Sequence, residues 1–452
     1  MLLLALTTAL AEDPFATEAQ VHVLDNGLTV LLHADDRTDT IALHLTYGVG
    51  SRDERPGEFG CAHLFEHLMF EGSANVPRDM FDTWLTAGGG ENNAWTSNDE
   101  TTYHMTFPSN ALDLALFLES DRMGFLNAGL TEENLTNQQK VVLQERAEYY
   151  SSPNGRDDDA LGRLLYPVGH GYHSPIIGTV ADIKALKVQR IADFWMRHYR
   201  PRNAVLALVG NLDEGEALAK VRQWFGDVPD RGAPEPRAEP DLVNGGGVPE
   251  LQTPIQRGKL VSKVEERTLY LAWSTVPHGH PDEPALDLLS WILDGGQGTR
   301  LADRLYWKSK LTNDMLVTTN NGDLSGQFMI SATSPRTKPV KLEAVSLKVL
   351  RQMMAMPPTP EELNRARQQQ RSAVLDSLEA FDSRAEAMVD CYRSTGQPNC
   401  LAADWARYEA VTSDDVVRVI GTWLDPNRMH VLAVVPTDDN SLAADLPTVE
   451  LP

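Results

Sequence analysis

Apolar and polar positions alternate along the first part of the chain in the way that half-buried strands require. Two such runs, residues 21–24 and 28–32, flank an Asn-Gly pair, which favours a tight hairpin because glycine readily adopts positive φ. Residues 41–47 continue the alternation as a third strand. Residues 92–107 are polar, rich in Thr and interleaved with aromatic residues, a pattern typical of an extended segment with one solvent-facing side.

Other segments lose this alternation and are rich in helix formers. The pattern predicts helices over residues 59–70, from Pro77 to the three glycines at 88–90, over 111–125 and over 132–150. The last of these begins with Thr-Glu-Glu-Asn, a sequence typical of a capped helix with acidic residues in its first turn. Strands and helices together indicate an α+β fold.

A local pattern recurs in the two halves of the chain. Residues 191–194 lead into the apolar run 205–209, and the similar residues 417–420 lead into 431–435 at a spacing of 226 residues. We interpret this as a duplicated α+β domain. Between the copies lies a stretch with six prolines and three consecutive glycines, which no regular element would tolerate. The expected organisation is an N-terminal domain at 15–226, a linker at 227–254 and a homologous C-terminal domain at 255–440.

Composition and charge exclude several classes of protein. With 42% hydrophobic and 23% charged residues, the chain of 452 residues has the balance of a folded globular protein. A net charge of −24 argues against a nucleic-acid-binding surface and fits either a solvated acidic surface or cationic ligands. Beyond the N-terminus, no run approaches the ~18 apolar residues of a membrane span.

The first eleven residues are apolar and end in Ala-Leu-Ala, a pattern of the kind that signal peptidase cleaves. We therefore interpret residues 1–11 as a signal peptide and expect an exported protein, periplasmic or extracellular. Because no basic residue precedes the apolar run, an ordinary apolar N-terminus is the alternative.

The chain has three cysteines, too few for a disulfide scaffold or a thiolate zinc cluster. Cys61 is expected to be a small buried residue. Cys391 and Cys400 can pair in an oxidising compartment, and two free thiols are the alternative.

The strongest chemical signal is the pentapeptide His63-Leu-Phe-Glu66-His67 on a predicted helix. Residues four apart lie on one helix face, so the two imidazoles can bind one ion while Glu66 reaches a metal-bound water. This order is the inverted form of the zinc-peptidase motif. A catalytic zinc usually has three protein ligands and one water, and local physics does not choose the third among 64 acidic residues. The structural alternative is a pair of histidines satisfied on an amphipathic helix.

Several motifs in the same order resemble the pitrilysin/insulinase family of zinc peptidases, and within it the branch of mitochondrial processing peptidase and its bacterial relatives. The resemblance covers nearly the whole chain after the predicted signal; its motifs are residues 24–28, 60–73, 89–96, 121–123, 141–146 and 198–203. It implies two homologous α+β domains, each an antiparallel-rich sheet packed with helices, which together form half of a clamshell chamber.

The resemblance also implies roles for individual residues. Glu145, in the Val-Val-Leu-Gln-Glu-Arg motif, matches the third ligand, with Glu148 as the alternative on the same helix. One Zn²⁺ per chain and a water activated by Glu66 follow from this match. The resemblance further assigns the family's substrate strand, which pairs with an extended peptide, although an ordinary internal strand is the alternative. That strand comprises Asn93, Ala94, Trp95 and Thr96.

One departure from the family changes the expected assembly. The family has an Arg and a Tyr that hold the substrate carbonyl. In this chain Tyr306 stands at the position of the Arg, and Asn313 stands at the position of the Tyr. The chain is thus similar to the metal-bearing subunit of two-chain members, and we expect a heterodimer with a homologous subunit that supplies the pair. A homodimer or monomer is the alternative.

The sequence therefore predicts a zinc-dependent endopeptidase that acts on short or unfolded peptides. Two other classes stay open. One is a catalytically silent core subunit, as in respiratory complexes that share this fold. The other is a peptide-binding module that holds zinc without turnover.

Overall fold

The computed structural model describes residues 15, 18–126, 129–232, 237, 256–437, 446–449 and 451. The predicted signal peptide, residues 1–11, and most of the predicted linker lie outside the described residues. The domain boundaries of the sequence analysis therefore stay predictions. Within the described part, no helix is long and apolar enough to cross a membrane.

The first sheet is built mainly from the strands that the alternation predicted. The predicted hairpin is confirmed, because its two strands pair antiparallel and Gly27 between them has φ 90°. The sheet has the order β1-β2-β6-β3-β5-β4, so β4 is an edge strand and, among the described residues, pairs with β5 alone. Its strands are β1 (Gln20–Val23), β2 (Thr29–Ala34), β3 (Thr40–Tyr47), β4 (Glu91–Thr96), β5 (Thr101–Pro108) and β6 (Ala204–Gly210).

Helices surround this sheet, and the four predicted ones are confirmed with small shifts at their ends. The expected cap is present on the fourth, where the Thr131 side chain accepts a hydrogen bond from the Asn134 backbone N–H. The helices are α1 (Cys61–Leu68), α2 (Met80–Ala87), α3 (Leu112–Gly124), α4 (Glu132–Ser151), α5 (Asp157–Leu165), α6 (Val180–Ala185), α7 (Val188–His198) and α8 (Glu214–Phe225).

The second sheet has the order β7-β11-β8-β10-β9. Its strands are β7 (Arg257–Ser262), β8 (Arg267–Thr275), β9 (Asp314–Asn321), β10 (Gly326–Ser334) and β11 (His430–Pro436). The helices of this half are α9 (Glu283–Asp294), α10 (Pro339–Ala355), α11 (Pro360–Ser377), α12 (Phe381–Thr395), α13 (Leu401–Ala410) and α14 (Ser413–Trp423), and a π-helical turn spans Asp303–Trp307.

The strand pairing confirms the duplication that the sequence predicted. In each half the last strand, β6 or β11, lies between one parallel and one antiparallel neighbour. The second sheet therefore repeats β2-β6-β3-β5-β4 strand for strand. After β8, the helix α9 takes the position that α1 has after β3, but α9 contains no histidine. The motif that resembles a zinc site thus belongs to the first half alone.

The two halves are joined by α12, which packs on the face of the first sheet opposite the helical core of the first half. A shared apolar cluster fills this contact and belongs to both halves. Its buried members are Leu31, Ala42, Val205, Ala207 and Val209 from the sheet and Phe381, Ala385, Met388 and Val389 from α12. Burial of these side chains stabilises a fixed relation between the halves.

The cysteines are placed as the sequence analysis allowed. Cys61 is buried in the first core, as expected. Cys391 at the end of α12 forms a disulfide with Cys400, with a Cα–Cα distance of 5.4 Å. The bond ties α12 to the start of α13.

Candidate metal centre

Buried hydrogen bonds from Glu54 fix the start of α1. Its Oε2 accepts the backbone N–H of Gly60 at 2.9 Å, and its Oε1 accepts that of Ala62 at 2.8 Å. Gly60 itself has φ 84°, which favours glycine. Burial raises the pKa of the Glu54 carboxyl well above its ordinary value, while these backbone hydrogen bonds lower it. Through these two hydrogen bonds, the Glu54 side chain satisfies backbone N–H groups that the helix leaves unpaired and sets the direction of the helix.

We expect Glu54→Ala to lower the free energy of unfolding by about 2 kcal/mol, because it leaves two buried backbone N–H groups without an acceptor. Glu54→Gln keeps one acceptor oxygen and should lose roughly half as much. Urea denaturation followed by circular dichroism measures both. Equal stability of the Ala variant and the parent protein would contradict this role.

Three side chains that the sequence analysis assigned to the metal come together in the structure. The rings of His63 and His67, one turn apart on α1, have centroids 4.9 Å apart. Glu145 approaches from α4, with Oε1 at 3.6 Å from His63 Nε2 and Oε2 at 3.3 Å from His67 Nε2. Glu148 is not part of this group and accepts a hydrogen bond from Gln144 at 2.7 Å.

The geometry of this group fits a tetrahedral zinc ion. Zinc bonds to nitrogen and oxygen of ~2.0–2.1 Å place tetrahedral ligand atoms about 3.3 Å apart. The two measured separations, 3.3 and 3.6 Å, are close to that value. The Glu145 side chain is 47% exposed, whereas the histidines are more enclosed. The site is therefore open on the carboxylate side, where a water or a substrate could enter.

The environment favours a cation at this point. The pKa of His63 is lowered to about 4, because the ring is buried and because His67 lies beside it. Burial also lowers the pKa of His67, but the hydrogen bond and charge of Glu145 outweigh it and raise the pKa overall. The hydrogen bond with His67 lowers the pKa of Glu145. At neutral pH the group thus offers a neutral imidazole and an ionised carboxylate.

Glu66 lies next to this group and is held by the hydroxyl of Thr96. The Thr96 Oγ1–H donates to Glu66 Oε2 at 2.6 Å. Burial raises the pKa of Glu66, and the Thr96 hydrogen bond lowers it. The sequence analysis assigned Thr96 only to the substrate strand, so this contact of its hydroxyl was missed. No sequence signal identified the contact, because it joins β4 to α1.

We expect Thr96→Val to lower the turnover of peptides by roughly tenfold, since one hydrogen bond to a carboxylate is worth about 1.5 kcal/mol. Because that hydrogen bond lowers the pKa of Glu66, its loss should move the acidic limb of the rate profile to higher pH. Thr96→Ser keeps the hydroxyl and should restore both properties. A Val variant with the parent's pH profile would contradict the assigned contact.

A cavity of about 1780 Å³ lies between the two halves, and His63, Thr96 and Glu145 are among the residues that line it. The first half also contributes Tyr149 and Asp158, and the second half contributes residues of β9 and of α13. The four residues assigned to the substrate strand lie in β4, the edge strand, whose outer edge pairs with no strand among the described residues. An extended peptide can therefore pair with this edge.

The residues that replace the family's Arg and Tyr do not reach the cavity. Tyr306 lies in the π-helical turn Asp303–Trp307 and is partly exposed. Asn313 is exposed and donates a hydrogen bond to Glu266. Neither is among the described residues that line the cavity. These side chains therefore offer no donor to a substrate carbonyl near the candidate metal site.

A second group of side chains that could hold a metal ion is formed by His44, His104 and Asp382, and no sequence motif indicated it. Its members come from β3, β5 and α12, so no local motif connects them. The sequence offered only the single histidine in each of the two strands as a signal.

Comparison with known proteins identifies the class to which this fold and site belong. Residues 29–167 match the model of "Insulinase (Peptidase family M16)", and residues 185–370 match that of "Peptidase M16 inactive domain". The chain belongs to the M16 family of peptidases, as its motifs indicated. The candidate metal-binding group lies within the first match, and α9, which has no histidine, lies within the second.

The relatives carry names that agree with this family. The chain is 26% identical over 451 residues to the zinc protease PqqE of Helicobacter pylori, which covers 96% of this chain and 97% of the relative. It is 27% identical over 387 residues to an uncharacterized zinc protease of Rickettsia bellii, covering 83% of this chain and 88% of the relative. A solved protease from Helicobacter pylori matches with a TM-score of 0.85 at 25% identity, over 93% of this chain and all of that one.

Proposed function

We propose that this protein is a zinc-dependent endopeptidase that hydrolyses short or unfolded peptides. The observation that carries the proposal is the arrangement of His63, His67 and Glu145, whose ligand atoms have the spacing of a tetrahedral zinc site with Glu66 beside them. Zinc, when bound there, supplies two things, a lowered pKa of coordinated water and polarisation of a carbonyl. The names of the relatives support this choice of metal.

The chain's own residues have distinct parts in this proposal. Glu66 takes the proton of the attacking water and later hands it to the leaving amine. The Thr96 hydroxyl holds one oxygen of Glu66 and leaves the other free for this exchange. The backbone of residues 93–96 pairs with the substrate, which favours an extended peptide and requires little of its sequence. The cavity between the halves admits a peptide more readily than a folded protein.

A homologous partner subunit completes the proposal. Because Tyr306 and Asn313 lie away from the cavity, we propose that the Arg and the Tyr that hold the substrate carbonyl come from another chain. A heterodimer with an Arg/Tyr-bearing subunit meets this need, and a homodimer is the alternative. Export to the periplasm or the medium is part of the proposal, since a disulfide between Cys391 and Cys400 suits an oxidising compartment.

The lack of the family's Arg and Tyr at positions 306 and 313 also favours a second candidate function, a silent core subunit or a peptide-binding subunit of a larger complex. The intact set of three ligands and Glu66 argues for the peptidase, because a scaffold has no need of this geometry. Zinc without turnover, in the presence of the partner, would select the peptide-binding alternative.

The deciding experiment measures zinc content and cleavage of a quenched peptide library. The chain is assayed alone and together with a homologous Arg/Tyr-bearing subunit, with His63→Ala/His67→Ala as the matched control. Stoichiometric zinc, with activity in the mixture and none in the control, is the expected result. Activity of the single chain at full rate would overturn the partner hypothesis, and zinc-free, inactive protein in both samples would overturn the peptidase.

A further inference from the structure

A second group of metal-binding side chains lies where the two halves meet. His44 Nε2 is 2.8 Å from Asp382 Oδ1, and His104 Nδ1 is 2.9 Å from the same oxygen. Like the first group, these three residues bring two imidazoles and one carboxylate within 4.8 Å of one another. None of them is among the described residues that line the cavity. The group is therefore separate from the proposed peptidase site.

The fold itself brings these side chains together. His44 and His104 are direct partners across the antiparallel pair β3 and β5, so their side chains share one face of the first sheet. That face is covered by α12 of the second half, and Asp382 lies in its first turn. The three ligands thus come from three elements and from both halves of the molecule.

The burial of the group leaves one side open. The His44 side chain is fully buried, while those of His104 and Asp382 are 20% and 36% exposed. His44 Nδ1 is buried and has no hydrogen-bond partner among the described residues, whereas Nε2 of the same ring contacts Asp382. The carboxylate of Asp382 therefore faces solvent on one side and two imidazoles on the other.

The spacing differs from that of the first group in an informative way. Six-coordinate ions with bonds of ~2.1 Å place neighbouring ligand atoms about 3.0 Å apart, against about 3.3 Å for tetrahedral zinc. The separations of 2.8 and 2.9 Å to Asp382, which are also hydrogen-bond distances, are nearer the octahedral value. We propose that His44, His104 and Asp382 form a second cation site, which binds a six-coordinate first-row divalent ion at the junction of the two halves. Two imidazoles and one carboxylate with open positions for water are a donor set that such ions accept.

An ion at this site would cross-link the two halves of the molecule. It links β3 and β5 of the first half to α12 of the second, beside the apolar cluster that joins them. His104 is also the cross-strand partner of Asn93 in β4, and the ring of Trp95 lies 5.0 Å from that of His104. The proposed ion therefore lies next to β4, the strand that we propose pairs with the substrate, and it would stabilise β4.

The test measures how many Ni²⁺ ions bind per chain. Ni²⁺ is the probe because it favours octahedral sites and binds imidazole. Tag-free protein carrying His63→Ala/His67→Ala has lost the first site, and isothermal titration with Ni²⁺ should then give one ion per chain. Adding Asp382→Asn should weaken this binding by roughly tenfold or more, since an amide oxygen is a poorer ligand than a carboxylate. The amide oxygen can still accept a hydrogen bond from one of the histidines, which limits damage to the contact between the halves.

The matched control is Asp35→Asn. Asp35 also joins the halves, accepting a hydrogen bond from Arg384 of α12 at 3.1 Å, but it touches neither histidine of the second group. Nickel binding should be unchanged in this control.

His104→Gln is a second variant, which removes one imidazole and retains an amide donor. Circular dichroism and the melting temperature establish that each variant is folded. Unchanged nickel binding in folded His104→Gln, or no binding in the His63→Ala/His67→Ala protein, would overturn the proposal. The three residues would then form only a hydrogen-bonded contact between the halves.

Discussion

Glu66→Gln is expected to lower the turnover of peptides by roughly 10²–10⁴-fold while leaving zinc content unchanged. The amide that replaces the carboxylate has nearly the same shape and can still accept the hydrogen bond from Thr96, so the local structure should persist. It cannot take a proton from water or return one to the leaving amine. The rate of cleavage of a quenched peptide by the assembled enzyme, with the zinc content measured on the same sample, tests this expectation.

Glu133→Gln is the matched control for this variant. Glu133 lies in the first turn of α4 with its side chain 81% exposed, and it is not among the residues that line the cavity. The same change of charge there should leave both rate and zinc content as in the parent. Near-normal turnover of the Glu66 variant would mean that another group moves the proton.

The sequence was most informative where the chemistry is local. Two histidines four positions apart on one helix face predict that both bind the same metal ion, and the structure brings His63 and His67 together in that way. Likewise, the alternation of residues 41–47 and the Asn-Gly pair predicted β3 and the hairpin before it, because side-chain period and turn chemistry act within a few residues.

Contacts between distant segments could not be derived from local patterns. Glu145 lies on another helix, and only the resemblance to a family selected it from the acidic residues of the chain. The second group joins Asp382 to histidines that precede it by 338 and 278 residues. Its formation depends on how α12 packs across the first sheet, which no periodicity specifies. The same reason explains why the hydrogen bond between Thr96 and Glu66 was missed.

The described residues of the two similar halves contain one candidate peptidase site, and it lies in the first half. Both sheets have the same strand order, but the helix after β3 carries the histidines and the corresponding helix after β8 carries an apolar face that is buried in its own core. The second half therefore contributes to the cavity wall and to the contact through α12. The match of residues 185–370, which include α9, to a Peptidase M16 inactive domain agrees with this division.

Glu145→Gln is expected to weaken zinc binding by roughly a hundredfold or more and to abolish cleavage at ordinary zinc concentrations. An amide oxygen is a poor zinc ligand, and the two histidines of α1 alone do not complete the set of three that a catalytic site needs. Competition with a chelator of known affinity measures the loss. Partial recovery of activity on addition of zinc would show that the loss of cleavage results from the loss of zinc binding.

Glu148→Gln separates this role from a general effect of charge on α4. Glu148 is one turn further along the helix and also lines the cavity, but it accepts a hydrogen bond from Gln144 and approaches neither histidine. Its substitution should leave zinc affinity within about twofold of the parent, since only the distant charge changes. If the Glu148 variant lost zinc and the Glu145 variant retained it, the third ligand would be Glu148, and α4 would have to rotate to bring that carboxylate to the histidines.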